Sequence, residues 1–177
     1  MAIIPMPHVS GAPRSLLIID GFFPIFQAEG AGASLYSAAQ DSSEPWERRR
    51  LFDLPFLHRM YLVFPAGKPT IIAAALCEKK DFRDDWSSAG AVYAVEIRDD
   101  GSQCEVGKPI LGGITKNHGM FLQRKKEREE VFVSGEEGVF SIRVPKIGEE
   151  WRPEKILDIA TGDVVLHDLD GDGQEEM

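Results

Sequence analysis

The chain has 177 residues, 43% of them apolar, and 20 Lys plus Arg against 29 Asp plus Glu give a formal charge of -9. That length suits one domain with a sizeable core, and the acidic balance argues against broad binding to a nucleic-acid backbone. No apolar run approaches the roughly 20 residues of a membrane-spanning helix. Residues 1–14 also lack the cationic start and long apolar stretch of a signal peptide. The expectation is a cytoplasmic protein with no membrane or nucleic-acid partner.

Residues 1–14 contain Pro5, Pro7 and Pro13 and predict an irregular lead-in to a folded unit over 15–177. Short β-branched and aromatic runs then alternate with turn residues. They predict strands over 16–19, 22–26, 34–38, 59–64, 70–76, 91–97, 120–123, 130–133, 139–144 and 164–168. Prolines 45, 55, 65, 69, 109, 145 and 153 interrupt any long helix. Residues 122–130 are good helix formers without an apolar stripe, which reads as a polar hairpin connection. Two cysteines make no disulfide framework, and Cys77 at the end of an apolar run reads as a small buried hydrophobe. The basic runs Arg48-Arg49-Arg50 and Arg124-Lys125-Lys126 are flanked by Glu and read as solvated faces.

An internal echo organises the middle of the chain. His58-Arg59-Met60-Tyr61-Leu62 opens one unit and His118-Gly119-Met120-Phe121-Leu122 opens another. Each is followed by two strands, the second beginning with Gly: Gly90-Ala91-Val92 in one unit and Gly138-Val139-Phe140 in the other. The first unit carries a charged, Ser-rich insertion over 78–89. Trp46 and Trp151 flank the units and read as packing residues, with sugar stacking as the alternative. Phe22, Phe23 and Phe26 read as core or edge cover, and Tyr36, Tyr61 and Tyr93 as cross-strand packing. Repeated sheets of three or four strands fit propeller blades.

The last residues carry the densest chemistry. Asp168, Asp170 and Asp172 occupy positions one, three and five of an acidic turn containing Gly171 and Gly173. The Gln174 carbonyl can serve position seven and Glu176 position nine. Hard oxygens at this spacing suit a structural Ca²⁺ ion. The alternatives are an acidic turn without useful affinity and a catalytic Mg²⁺ or Mn²⁺ site. No position-twelve Glu or flanking helix makes it an EF-hand.

The tail from Val164 through Asp168-Leu169-Asp170-Gly171-Asp172-Gly173 to Glu176 resembles the blade motif of the FG-GAP/VCBS repeat superfamily, β-propellers whose blades bear an Asp-x-Asp-Gly-Asp-Gly loop. The resemblance implies an all-β partial propeller, about three blades of short antiparallel strands plus the first strand of another. It implies no single reaction, because the family spans adhesion and carbohydrate-binding modules, lyase-like enzymes and cytosolic proteins. Closed propellers need four to eight blades. The expected remedies are a longer parent chain, a homo-oligomer closing one ring, or a partner supplying blades.

Of the four histidines, His8 falls in the lead-in, and His167 precedes Asp168 and faces away from it along an extended chain. His58 and His118 occupy matching positions and are candidates to converge in an axial pocket, as ligands of a transition metal or as acid and base. The bland alternative is that each bonds a backbone carbonyl. Lys116-Asn117-His118-Gly119 offers a cation, an amide and an imidazole in one strand-entry loop, able to bind sugar hydroxyls or a carboxylate, or merely to turn. No nucleotide-binding or nucleophile-elbow motif is present. The leading functional expectation is a noncatalytic propeller scaffold or binding module, with calcium in the tail loop and a protein or carbohydrate ligand. The alternatives are a carbohydrate-directed lyase or hydrolase using His58, His118 and Lys116, and an assembly subunit that completes a ring.

Overall fold

A computed structural model describes the chain except for residues 1, 8–12, 25–26, 99–101, 127, 173–174 and 176–177. The described residues form three four-stranded antiparallel sheets, each a meander in chain order. The first holds β1 (Ile3–Pro5), β2 (Ser15–Asp20), β3 (Gly32–Ser37) and β4 (Glu47–Asp53). The second holds β5 (Leu57–Val63), β6 (Thr70–Ala75), β7 (Gly90–Glu96) and β8 (Leu111–Ile114). The third holds β9 (Gly119–Lys125), β10 (Arg128–Gly135), β11 (Gly138–Arg143) and β12 (Arg152–Leu157). Among the described residues no helix is long and apolar enough to cross a membrane.

The sequence of β6, Thr-Ile-Ile-Ala-Ala-Ala, explains how the sheets stack. All six residues are buried, and successive side chains of a strand point to opposite faces. Ile71, Ala73 and Ala75 enter a core shared with Leu17, Ile19, Phe52, Leu57 and Met60. Ile72 and Ala74 enter a second core with Val92, Ile114, Met120, Leu122, Val131 and Val133. Each fully buried Ile or Leu contributes about 1.5–3 kcal/mol of hydrophobic stabilisation. The third sheet alternates in the same way. Val131 and Val133 face the second core, while Phe132 joins Val139, Val164 and Leu166 in a small third cluster.

This arrangement corrects the propeller expectation. The fold is all-β, but its three sheets are separate ladders, linked weakly through contacts of β2 with β5 and of β5 with β9. The described strands neither close a ring nor join into one curved sheet. Nor does the segment 164–168 begin another blade. It is extended, with Val164 and Leu166 buried and Val165 exposed, and it carries one bridge residue, His167. It lies over the third sheet as a cover, because Val164 and Leu166 find their apolar partners on β10 and β11. Residues 22–24 form no strand, and Ile25 and Phe26 lie outside the described residues. Conversely, β1 arises within the stretch expected to be irregular, with Ile4 opposite Leu17 of β2.

Candidate functional site

Two sites emerge, and the first is the acidic turn. One carboxylate oxygen each from Asp168, Asp170 and Asp172 lie within 4.8 Å of one another. Asp168 is half-buried; Asp170 and Asp172 are exposed. Gly171, at φ 81, takes the left-handed conformation that bends the turn. The turn is closed by the Gly171 N–H donating to Asp168 at 2.7 Å and the Asp172 N–H donating to Asp170 at 3.1 Å. It is tethered on both sides. Val164 and Leu166 pack on the third sheet before it, and Gln123 of β9 donates to the Glu175 carboxylate at 2.6 Å after it. This acidic cluster could chelate a divalent metal ion. Gln174 and Glu176, expected as further ligands, lie outside the described residues, as does His8.

The second site sits where the second and third sheets meet. A cleft of about 370 Å³ opens there, with Leu76, Trp86, Lys116, His118, Glu136 and Thr161 on its walls. Backbone hydrogen bonds hold those walls together: Glu136 N–H to the Thr115 carbonyl at 3.0 Å, His118 N–H to the Ser134 carbonyl at 3.2 Å, and Thr161 N–H to the Gly135 carbonyl at 3.0 Å. Lys116 adopts φ 52, a left-handed conformation that is uncommon for a residue with a side chain. That turn aims the buried Asn117 backwards, where its amide donates to the carbonyls of Ala75 at 3.2 Å and Ala91 at 3.3 Å. The Lys116 ammonium pairs with Glu136 at 2.5 Å.

Trp86 comes from the charged insertion, which is an ordered loop. Asp85 accepts hydrogen bonds from the Ser87 hydroxyl, the Ser87 N–H and the Asp81 N–H. Those bonds, with Ser87 foremost, hold its carboxyl down at about 2. Lys80 caps the indole, its ammonium 3.2 Å from the ring centroid, and donates to the Arg83 carbonyl at 2.9 Å. Burial lowers the Lys80 pKa.

The structure brings His58 and His118 together, with ring centroids 4.6 Å apart and planes tilted by 36°. Phe22 lies against His58 as well, at 5.3 Å. Burial, followed by the neighbouring His118, pushes the His58 pKa down to about 4. Neither nitrogen of His58 has a hydrogen-bond partner, so the reading of a bond to a backbone carbonyl does not hold for it. The Asn117 Oδ1, Ser134 Oγ and Arg59 Nε atoms nearby in the chain are also buried without partners. Among the described residues, however, the only group of three or more His, Cys or carboxylate ligands that converges is the Asp168 turn. The histidine pair is therefore an interface of rings without a third such ligand. Gly119 is the contact that lets the tail pass: a Cβ there would stand 2.7 Å from the Asp163 Cα and 3.1 Å from its Oδ1. Asp163 in turn pairs with Arg59 at 3.3 Å.

The sequence pointed to His58 and His118 through their matching placement and to Lys116 through its local cluster, but not to Trp86, Glu136 or Thr161. A lone indole in the polar stretch Asp84-Asp85-Trp86-Ser87-Ser88 was the one available cue. Trp151 packs against the second core, whereas Trp46 is 43% exposed. Cys77 is fully buried, and burial pushes its thiol up to about 11. The basic runs are more engaged than expected: Arg48 and Arg50 pair with Asp20, and Arg124 donates to the Leu62 carbonyl at 2.9 Å.

No family model matches the chain, and no curated protein matches it. The FG-GAP/VCBS resemblance of the tail thus does not extend to a family relationship. The propeller scaffold, the lyase or hydrolase with an axial pocket, and the ring-completing subunit all required a propeller, and they fall with it.

Proposed function

We propose that this chain is a calcium-binding protein whose ion, held by Asp168, Asp170 and Asp172, fastens the C-terminal segment to the third sheet. The observation that carries the reading is the convergence of three carboxylate oxygens within 4.8 Å, in a turn anchored on both sides. Without a cation these charges repel one another across a short distance. With one, the repulsion becomes attraction, and the segment covering Phe132 and Val139 is held in place. An all-oxygen donor set in a glycine-containing turn suits Ca²⁺, which accepts irregular coordination. Mg²⁺ demands near-octahedral geometry and retains more of its water.

The test is calorimetric titration of the full chain with Ca²⁺ and with Mg²⁺, paired with thermal unfolding. Saturable Ca²⁺ binding is expected, with about 2.7 kcal/mol of stabilisation at a hundredfold excess over Kd. Asp170→Asn should weaken binding while leaving the metal-free melting temperature nearly unchanged, since Asp170 is exposed. Equal responses to both ions would remove the calcium assignment. No response to either would remove the site.

A further inference from the structure

We propose that the cleft between the second and third sheets binds a small carboxylate with a flat apolar body, the indole of Trp86 receiving the body and Lys116 and His118 the carboxylate. This site is separate from the acidic turn and does not rest on the calcium reading.

Three observations carry it. The first is shape and lining. At about 370 Å³ the cleft falls in the range of small-molecule sites. Its walls are largely apolar, from Leu76, Trp86 and Ala160, with polar groups confined to a few positions. A rigid aromatic wall with few convergent polar groups selects a flat molecule carrying one polar end. Lys80 fixes the plane of that wall by capping the indole.

The second is charge. Lys116 and His118 line the cleft, and the Lys116 ammonium stands 6.0 Å from the Trp86 ring centroid. A carboxylate beside the indole is therefore within reach of a cation, and a charge-assisted hydrogen bond is among the stronger polar contacts. Glu136 is the competing carboxylate already on Lys116, at 2.5 Å. Both side chains of that pair are about half-exposed, at 47% and 49%, so the pair is readily exchanged for another partner.

The third is the surrounding architecture. Lys116 keeps a left-handed backbone at the cleft, and such conformations persist where the surroundings hold them. The buried Asn117 anchors that turn to two strands of the second sheet, so the residues on either side of it are preorganised. Preorganised polar groups lose little freedom on binding.

The experiment follows the indole N–H resonance of Trp86, assigned by its absence from Trp86→Phe, while naphthoate or its neutral analogue naphthamide is titrated into the full chain. Naphthoate should bind saturably and shift that resonance. Naphthamide and the Lys116→Met variant should each show affinity about tenfold weaker, the usual worth of one charge-assisted contact. Glu136→Gln should tighten naphthoate binding, because it removes the competitor while leaving an exposed, foldable surface position. The same pattern is expected with Ca²⁺ and with chelator, which keeps this test distinct from that of the acidic turn. Absence of saturation, equal binding of the two probes, or weaker binding in Glu136→Gln would each overturn the proposal. A far-ultraviolet spectrum matching the parent chain qualifies each variant for comparison.

Discussion

Asp20, at the end of β2, and His58, near the start of β5, are both half-buried, yet they meet opposite surroundings. Asp20 accepts hydrogen bonds from Tyr36 at 3.1 Å and Arg48 at 2.7 Å and pairs with Arg50, which itself reaches Asp53. Burial alone would raise its carboxyl. The bonds from Arg48 and Tyr36 and the charge of Arg50 outweigh burial and bring it below the ordinary value. Around His58 the rings of Phe22 and His118 lie close, and neither of its nitrogens has a hydrogen-bond partner. The first site spends its polar capacity on holding β2, β3 and β4 in register. The second leaves both imidazole nitrogens of His58 unpaired beside His118, a wall of the cleft.

The largest break in this comparison comes from Asp20→Ala. Removing the carboxylate takes the acceptor from Arg48 and Tyr36 and one of three from Arg50, and should cost about 3 kcal/mol, read as a lower denaturant midpoint at unchanged slope. Asn117→Ala is next, at about 2 kcal/mol. It deletes two buried hydrogen bonds and leaves the Ala75 and Ala91 carbonyls short of a donor.

His58→Phe should have the smallest effect at neutral pH, within about 1 kcal/mol and in the stabilising direction, since no bond is lost. Its signature lies in acid. The folded-state pKa of His58, about 4, lies below the ordinary 6.5 of an imidazole, so the unfolded chain takes up the proton first as pH falls. The parent chain is expected to lose stability from about pH 6.5 down to about pH 4, with no further loss from this group below that. The variant should show a shallower decline over the same window in thermal melts. A steeper one would mean that His58 gains a partner when protonated.

The strands that sequence patterning located are mostly interior ones: β2, β3, β6, β7, β10 and β11 all have a ladder partner on both sides. Those it missed, β1, β4, β8 and β12, are all sheet edges. An edge strand needs no apolar alternation and tolerates charge and proline. Thus β4 begins Glu-Arg-Arg-Arg, β12 carries Pro153 with all six residues exposed, and β8 contains a Gly pair. The same logic governs the site. His58 and His118 share a position in an echo and so declared themselves, whereas Trp86 and Thr161 reach the cleft only through loop paths that local pattern does not encode. The propeller inference failed because repeated hairpins specify sheets, not how sheets are placed around one another.

The strand Thr70–Ala75 serves two cores at once through its alternate side chains. It acts as a keel. Loosening either inter-sheet junction exposes one of its faces, so melting of the flanking sheets is coupled through one fully buried strand.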